Sequence, residues 1–268
     1  MTTFIHRRTG VSELNDLIRS APPEIVQLGD DHRRSLAARF RAVPSNGHRR
    51  IDSWNVERAG QPAHAFRWSP ATARRTLGNA ALRRMLRDPL CSVIDAINRE
   101  IDDQLMRDVA GYAQRGSMAS WFATLHQSEL ALVKADAANW TLQMHEIALS
   151  IEDQWSVCAS DAFYDVARAR TTLRGRRDLE VVLEDRCVLL RIRSGSPGKS
   201  SGPGLRSDLT IATLAHPQGI APARMIGLWP ESGVCLGVDG TMSDLRAGAR
   251  DLVRTAVAQQ RYHQSIAA

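Results

Sequence analysis

The stretch richest in chemistry runs Thr172-Leu173-Arg174-Gly175-Arg176-Arg177-Asp178-Leu179-Glu180. Three guanidiniums lead into a carboxylate, and a second carboxylate follows two residues later. On a strand, residues two apart point to the same face, so Asp178 and Glu180 stand side by side. Two carboxylates are the hard-oxygen donors that Mg²⁺ takes beside a phosphate, and the ammonium of Lys199 could reach in from a following loop. The plainer reading is an acidic strand edge beside arginines. Leu189-Leu190-Arg191-Ile192-Arg193-Ser194-Gly195 adds two more guanidiniums at the same spacing. A guanidinium is planar, permanently charged and forks onto phosphate oxygens. Arg174, Arg176, Arg177, Arg191, Arg193 and Lys199 therefore describe a phosphate-contacting surface.

The elements that must position these residues alternate between short β-rich runs and helices. Thr171–Leu173, Leu179–Leu183 and Cys187–Ile192 read as strands, with Glu184-Asp185-Arg186 as the hairpin turn between the last two. Ser194–Gly204 (SGSPGKSSGPG) is rich in glycine, serine and proline and reads as a loop. Leu209–His216 is a helix, Met225–Trp229 and Val234–Val238 are strands, and Ser243–Gln260 is a closing amphipathic helix. The order is strand, strand, strand, helix, strand, strand, helix.

That order and those residues resemble the RecB-type nucleases of the PD-(D/E)XK superfamily over about Ser156–Gln260. Leu173-Arg174-Gly175-Arg176-Arg177-Asp178 is similar to the family's L-R-G-R-I-D strand, and the resemblance makes Asp178 the remnant of a Mg²⁺ ligand. The family's next strand supplies a second acid and a lysine, and its following helix a glutamine and a tyrosine four apart. Here Arg191 stands at the acid, Arg193 at the lysine, and Asp208 and Ala212 at the helix pair. His145, on a helix ahead of the sheet, falls where the family has an early histidine. The resemblance therefore implies the fold without the cleavage: a protein that binds nucleic acid or scaffolds a DNA-handling assembly, with no cofactor. The alternative is an active Mg²⁺-dependent DNA nuclease with a migrated site on Asp178 and Glu180, helped by Lys199.

A second candidate lies upstream. Ser69–Arg87 (SPATARRTLGNAALRRMLR) reads as a helix to about Leu77, a break at Gly78-Asn79, and a helix from Ala80. Arg74, Arg75, Arg83 and Arg84 project from it, the form of a helix-turn-helix DNA-binding regulator. Ser92–Arg107, Trp121–Leu132 and Ala135–Glu152 read as further helices, as do Ser12–Ser20 and Asp31–Arg41. The predicted fold is α+β: a basic N-terminal region (1–64) with short helices, an α-helical region (65–155), and an α/β sandwich (156–268) with a small mixed sheet flanked by helices.

Composition sets the outer bounds. The chain has 268 residues, and of its 35 basic residues only Lys134 and Lys199 are lysines. GC-rich coding produces such an excess of arginine as readily as phosphate contact does. Net charge falls in blocks: +8 over residues 1–90, −8 over 91–167 and +6 over 168–268. The acidic block is a surface for a basic protein partner or for the chain's own basic ends. Cys91, Cys158, Cys187 and Cys235 are scattered, without the close pairs of a zinc site, and read as free thiols. Gly198-Lys199-Ser200 lacks the first glycine of a phosphate loop, since position 193 is arginine, and the Ser-Gly-Pro-Gly that follows predicts no helix start. No apolar run approaches the ~20 residues of a membrane span, and the N-terminus has no apolar core behind its arginines, so the expectation is a cytoplasmic protein without membrane contact.

Overall fold

The computed structural model describes residues 5–8, 11–45, 47–58, 68–107, 117–158, 160–193 and 195–267. The fold is α+β, and the chain divides into two units, residues 1–63 with 152–268 and residues 64–151. The N-terminal residues are thus no separate region; they complete the α/β unit. No described helix is long and apolar enough to cross a membrane.

The α/β unit holds two sheets. The larger has the order β1 (Ile5–Arg8), β9 (Val234–Asp239), β8 (Arg224–Trp229), β7 (Arg186–Ile192), β6 (Leu179–Leu183) and β3 (Trp155–Val157). Its neighbours are antiparallel except β7 and β8, which run parallel. Parallel neighbours need a crossover, and α8 (Ser201–Ala215) supplies it. The smaller sheet has β5 (Thr171–Gly175) between β2 (Arg49–Asp52), parallel to it, and β4 (Ala162–Val166), antiparallel to it. The expected strands over 171–192 and 225–238 are all present. They do not form one sheet, however, because β5 belongs to the smaller one.

Gly175 is where the chain leaves one sheet for the other. A Cβ there would come within 3.0 Å of both the Asp208 carbonyl and Ile211 Cβ, so only glycine lets the strand end pass this close to α8. Helix α8 packs against both sheets, against α3 (Ser53–Glu57) and against α9 (Met242–Ala267). Leu205, Leu209, Ile211 and Leu214 bury in the core with Ile51, Leu173, Leu189 and Trp229. Its buried hydroxyls bond back to their own helix, Ser207 to the Pro203 carbonyl at 2.9 Å and Thr213 to that of Leu209 at 2.8 Å.

Helix α8 starts earlier than its composition indicates. Ser201-Gly202-Pro203-Gly204, expected as loop, forms its first turn, where the first amides have no helical acceptor and a proline costs little. Tertiary packing stabilises this turn: a side chain at Gly204 would overlap the carboxylate of Glu57.

Three helix C-termini in this unit are held by arginines, two of them distant in sequence. Arg224 of β8 donates to the carbonyls of Leu17 and Ser20 at the end of α1 (Val11–Arg19), at 2.5 and 3.2 Å, and to Asp239 at 2.6 Å. Arg49 of β2 donates to the Phe40 and Val43 carbonyls at the end of α2 (Asp30–Arg41). Arg33 of α2 donates to the His216 carbonyl beyond α8 at 2.7 Å. Each satisfies carbonyls that a helix end leaves without partners.

The second unit is helical: α4 (Pro70–Arg87), α5 (Val93–Arg107), α6 (Met118–Phe122) and α7 (Gln127–Leu149). The helix-turn-helix expectation is overturned here, because Pro70–Arg87 is one continuous helix. Ser69 caps it as expected, accepting from the Thr72 amide while Thr72 Oγ1 accepts from the Ser69 amide. Gly78 does not break it; it brings α4 against α7. A Cβ at Gly78 would lie 2.5 Å from the Trp140 ring. Likewise, the expected break at 133–134 does not exist, and α7 runs straight through it.

The charge blocks dissolve in this arrangement. Residues 64–151 hold ten basic and nine acidic residues, a net of +1, because the basic α4 packs on the acidic α5 and on α7. Arg84 on α4 donates to Asp103 on α5 at 2.8 Å. Replacing Gly78 by valine should destabilise this unit by about 1–3 kcal/mol through overpacking, and a Trp140→Ala background should relieve part of that loss. Thermal unfolding of the four chains of this cycle measures it; an unchanged midpoint in Gly78→Val would show that α4 and α7 do not need the close approach.

Candidate functional site

The face of β6 and β7 that meets α8 gathers Asp178, Arg191 and Arg193 with Asp208. Asp178 lies opposite Arg191 just before β6 begins, and Arg193 follows two residues on along the chain. Nearly every charge here has a partner. Arg191 is only 6% exposed and donates to Asp208 of α8, which is fully buried, and to Ser53 Oγ at 2.6 Å. The other oxygen of Asp208 accepts the Arg176 amide at 2.8 Å. Burial opposes the charge on Arg191, but the carboxylates of Asp208, Glu57 and Asp178 outweigh it and raise its pKa above the ordinary arginine value.

Arg193 forks onto Glu57 of α3, with Nη1 at 2.5 Å from Oε1 and Nη2 on Oε2. Its guanidinium also lies over the Trp229 ring, 4.9 Å from the centroid. Asp178 accepts the Ile192 amide at 2.8 Å, so it closes the ladder between β6 and β7. The pairing is thus inverted with respect to a metal site. Strand β7 brings cations, and the helices α3 and α8 bring the anions that neutralise them.

The expected phosphate surface is therefore not continuous. Arg191 and Arg193 face inward, because a buried carboxylate needs a buried cation more than the strand needs an exposed one. Arg174 also has a carboxylate, with its Nε 2.6 Å from Asp161, and lies 6.0 Å from the centroid of the half-exposed Phe163 ring. Arg177 donates to the Ser160 carbonyl at 3.2 Å. Arg176 differs from these. Its guanidinium is largely buried beside Arg191, Arg174 and Asp52, and its Nε finds no acceptor among the described residues. Burial lowers its pKa, with Arg191 adding to the effect and Asp52 opposing it.

Glu180 does not join Asp178. It sits in a shallow pocket with Cys187, Arg186 and His216. Burial and the Glu180 carboxylate push the Cys187 thiol up to about 12. Among the described residues no three His, Cys, Asp or Glu side chains are grouped to hold a metal ion. Ala212, at the place of the tyrosine, lines this same pocket.

Lys199 is exposed in the loop before α8. A helix does follow Gly198-Lys199-Ser200, contrary to expectation, but the loop amides are engaged. The Gly195 amide donates to Glu231 at 2.5 Å and the Gly198 amide to Ser201 Oγ at 3.0 Å. Arg74, Arg75, Arg83 and Arg84 are half-buried along α4 in the helical unit; Arg84 pairs with Asp103, and the other three are also engaged.

Neither protein-family models, nor curated proteins, nor solved structures give a match to this chain. The partners Ser53 and Glu57 come from a five-residue helix that sequence reasoning did not place. The signal was the run Asp52-Ser53-Trp54-Asn55: Asp52 accepts the Asn55 amide at 3.1 Å, Asn55 accepts that of Asp52, and the two cap α3 reciprocally.

The buried pair and the Cys187 pocket each make a prediction. Asp208→Ala leaves Arg191 unpaired in the core and should cost about 3–5 kcal/mol in denaturant unfolding, whereas Arg191→Met with Asp208→Leu should recover most of it. A single variant as stable as the parent would show that the pair does not hold the site together. Alkylation of Cys187 at pH 8 should be slow and should quicken in Glu180→Gln, which removes the charge that raises the thiol's pKa; unchanged reactivity would contradict that coupling.

Proposed function

We propose that the α/β unit is a nuclease-like scaffold that does not cleave and that binds nucleic acid through its phosphates. The carrying observation is the charge inversion on β7. Arg191 and Arg193 stand at the positions of the acid and the lysine, and Asp208 and Glu57 neutralise them. A metal site of the PD-(D/E)XK kind needs a carboxylate on that strand to share a cation with Asp178, and here Asp178 accepts a backbone amide beside a guanidinium. Strand order supports the same reading: three antiparallel strands (β3, β6, β7), a crossover helix, and a fourth strand parallel to the third.

Nucleic acid contact in this reading falls to Arg176, Arg177 and Lys199. Arg176 is partly exposed and carries a desolvated guanidinium, the condition in which a phosphate oxygen gains most from a charge-assisted hydrogen bond. Arg177 and Lys199 provide the neighbouring charge. The α/β unit as a whole holds 25 basic and 20 acidic residues, a net of +5.

Titrating a labelled duplex and a single strand at several salt concentrations tests this. Binding should weaken as salt rises, and Arg176→Ala with Arg177→Ala should reduce the logarithmic slope by about 2, one for each lost phosphate contact. No binding at low salt, or a slope unchanged in the variant, overturns the binding. Incubation of the duplex with Mg²⁺ or Mn²⁺ should leave it intact. Cleavage that Asp178→Ala abolishes would overturn the non-catalytic reading and favour the migrated site.

A further inference from the structure

On the side of the α/β unit where α2 meets α9, a groove of about 420 Å³ opens to solvent. Its floor is apolar, formed by Leu36, Leu214 and Leu245, each at most 5% exposed. Its rim is cationic. Arg39 projects from α2, and Arg246 and Arg250, one helical turn apart, project from α9. All three are exposed, and none has an ion pair or hydrogen bond among the described residues. Asp31, the acid at the rim, already pairs with Arg34.

This differs from Arg174, Arg191, Arg193 and Arg224 of the same unit, each of which is paired with a carboxylate. Three like charges converging on an apolar trough repel one another, and an anion held between them relieves that repulsion. The trough beneath is of ligand-pocket size, at the small end of the usual range of about 300–1,000 Å³. Its lining holds no Phe, Tyr or Trp side chain on which single-stranded nucleic acid could stack its bases, and its single aromatic ring is the imidazole of His32. We propose that this groove binds a small amphipathic anion, an acyl chain bearing a carboxylate, with the chain along Leu36, Leu214 and Leu245 and the head group between Arg39, Arg246 and Arg250. The groove is separate from the residues assigned to phosphate contact above, and the proposal stands independently of that reading.

Calorimetric titration of the full chain with dodecanoate, below its micelle-forming concentration, is the test. Dodecanoate should bind at one site. Acetate, which has the head alone, and dodecanol, which has the chain alone, should each bind at least about tenfold more weakly. Arg246→Ala with Arg250→Ala should weaken dodecanoate by about tenfold or more without shifting the thermal midpoint, since both side chains are exposed. Ala249→Phe, which fills the trough from α9, should block dodecanoate; Ala249→Ser, which leaves the space open, should not. No binding of dodecanoate, or equal affinity in the double alanine variant, overturns the proposal. So does displacement of dodecanoate by an oligonucleotide, which would assign these arginines to phosphate, or binding to anionic vesicles without binding to the free acid.

Discussion

A guanidinium and a carboxylate, Arg191 of β7 and Asp208 of α8, meet where water does not reach, and the architecture of the α/β unit follows from keeping that pair satisfied. An ionised carboxylate in the middle of a buried helix is tolerable only with a cation and hydrogen bonds on its remaining lone pairs. Arg191 supplies the cation, the Arg176 amide takes the second oxygen, and Ser53 takes another guanidinium hydrogen. Each partner then constrains its own element. The Arg176 amide reaches Asp208 only because Gly175 lets the chain pass against α8. Ser53 is in place because the reciprocal cap between Asp52 and Asn55 starts α3 there. Helix α3 in turn presents Glu57 to Arg193, and that carboxylate sits where Gly204 has no side chain.

The same chemistry explains why arginine so outnumbers lysine here. Lysine is a single point charge, whereas arginine offers five donors in a fixed fork and can serve several acceptors from one side chain. Arg224 does so at the end of α1, reaching two carbonyls, Ser20 Oγ and Asp239 while being 2% exposed. Arg49 and Arg33 repeat the arrangement at the ends of α2 and α8. These contacts join residues more than 180 positions apart in the case of Arg224 and Arg33, and they draw the first sixty residues into the same unit as the last hundred. Part of the arginine excess is therefore internal structure and not surface. Lysine in these places would leave carbonyls without partners.

What the sequence made legible was local, and what it hid was tertiary. Strands β6 to β9 and helix α9 were readable because each is a short apolar run bounded by turn residues, or a regular apolar stripe. Arg191, Arg193 and Asp208 were brought to one site by the family resemblance, which gave their positions but not their pairing. Gly78 and Gly204 misled for one reason: glycine in a helix costs about 1 kcal/mol relative to alanine, so it reads as a break. Contact with Trp140 or with Glu57 outweighs that cost, and neither contact is visible along the chain. The charge blocks misled in a related way. A basic helix followed by an acidic one looks like two modules, but opposite charge is also what lets α4 and α5 pack side by side. The direction of Arg191 and Arg193 was hidden most deeply, since their partners in α3 lie some 136 residues away.

Charge inversion at this site is also self-preserving. Placing an acid at position 191 alone would set it between Asp178 and Asp208 with the cation removed, three carboxylates in a space that has little water. Like charges at that distance would force protonation or unfold the first turns of α8. A lysine at 193 would keep the charge but lose the fork onto Glu57 and the contact with Trp229. A carboxylate on the strand is tolerable only if Asp208 becomes uncharged in the same step and Arg176 finds a new acceptor for its amide. No single substitution achieves that. The ion pairs that stabilise the α/β unit therefore also fix the sign of the charge at these positions, and a carboxylate on β7 is held off by the requirements of the fold.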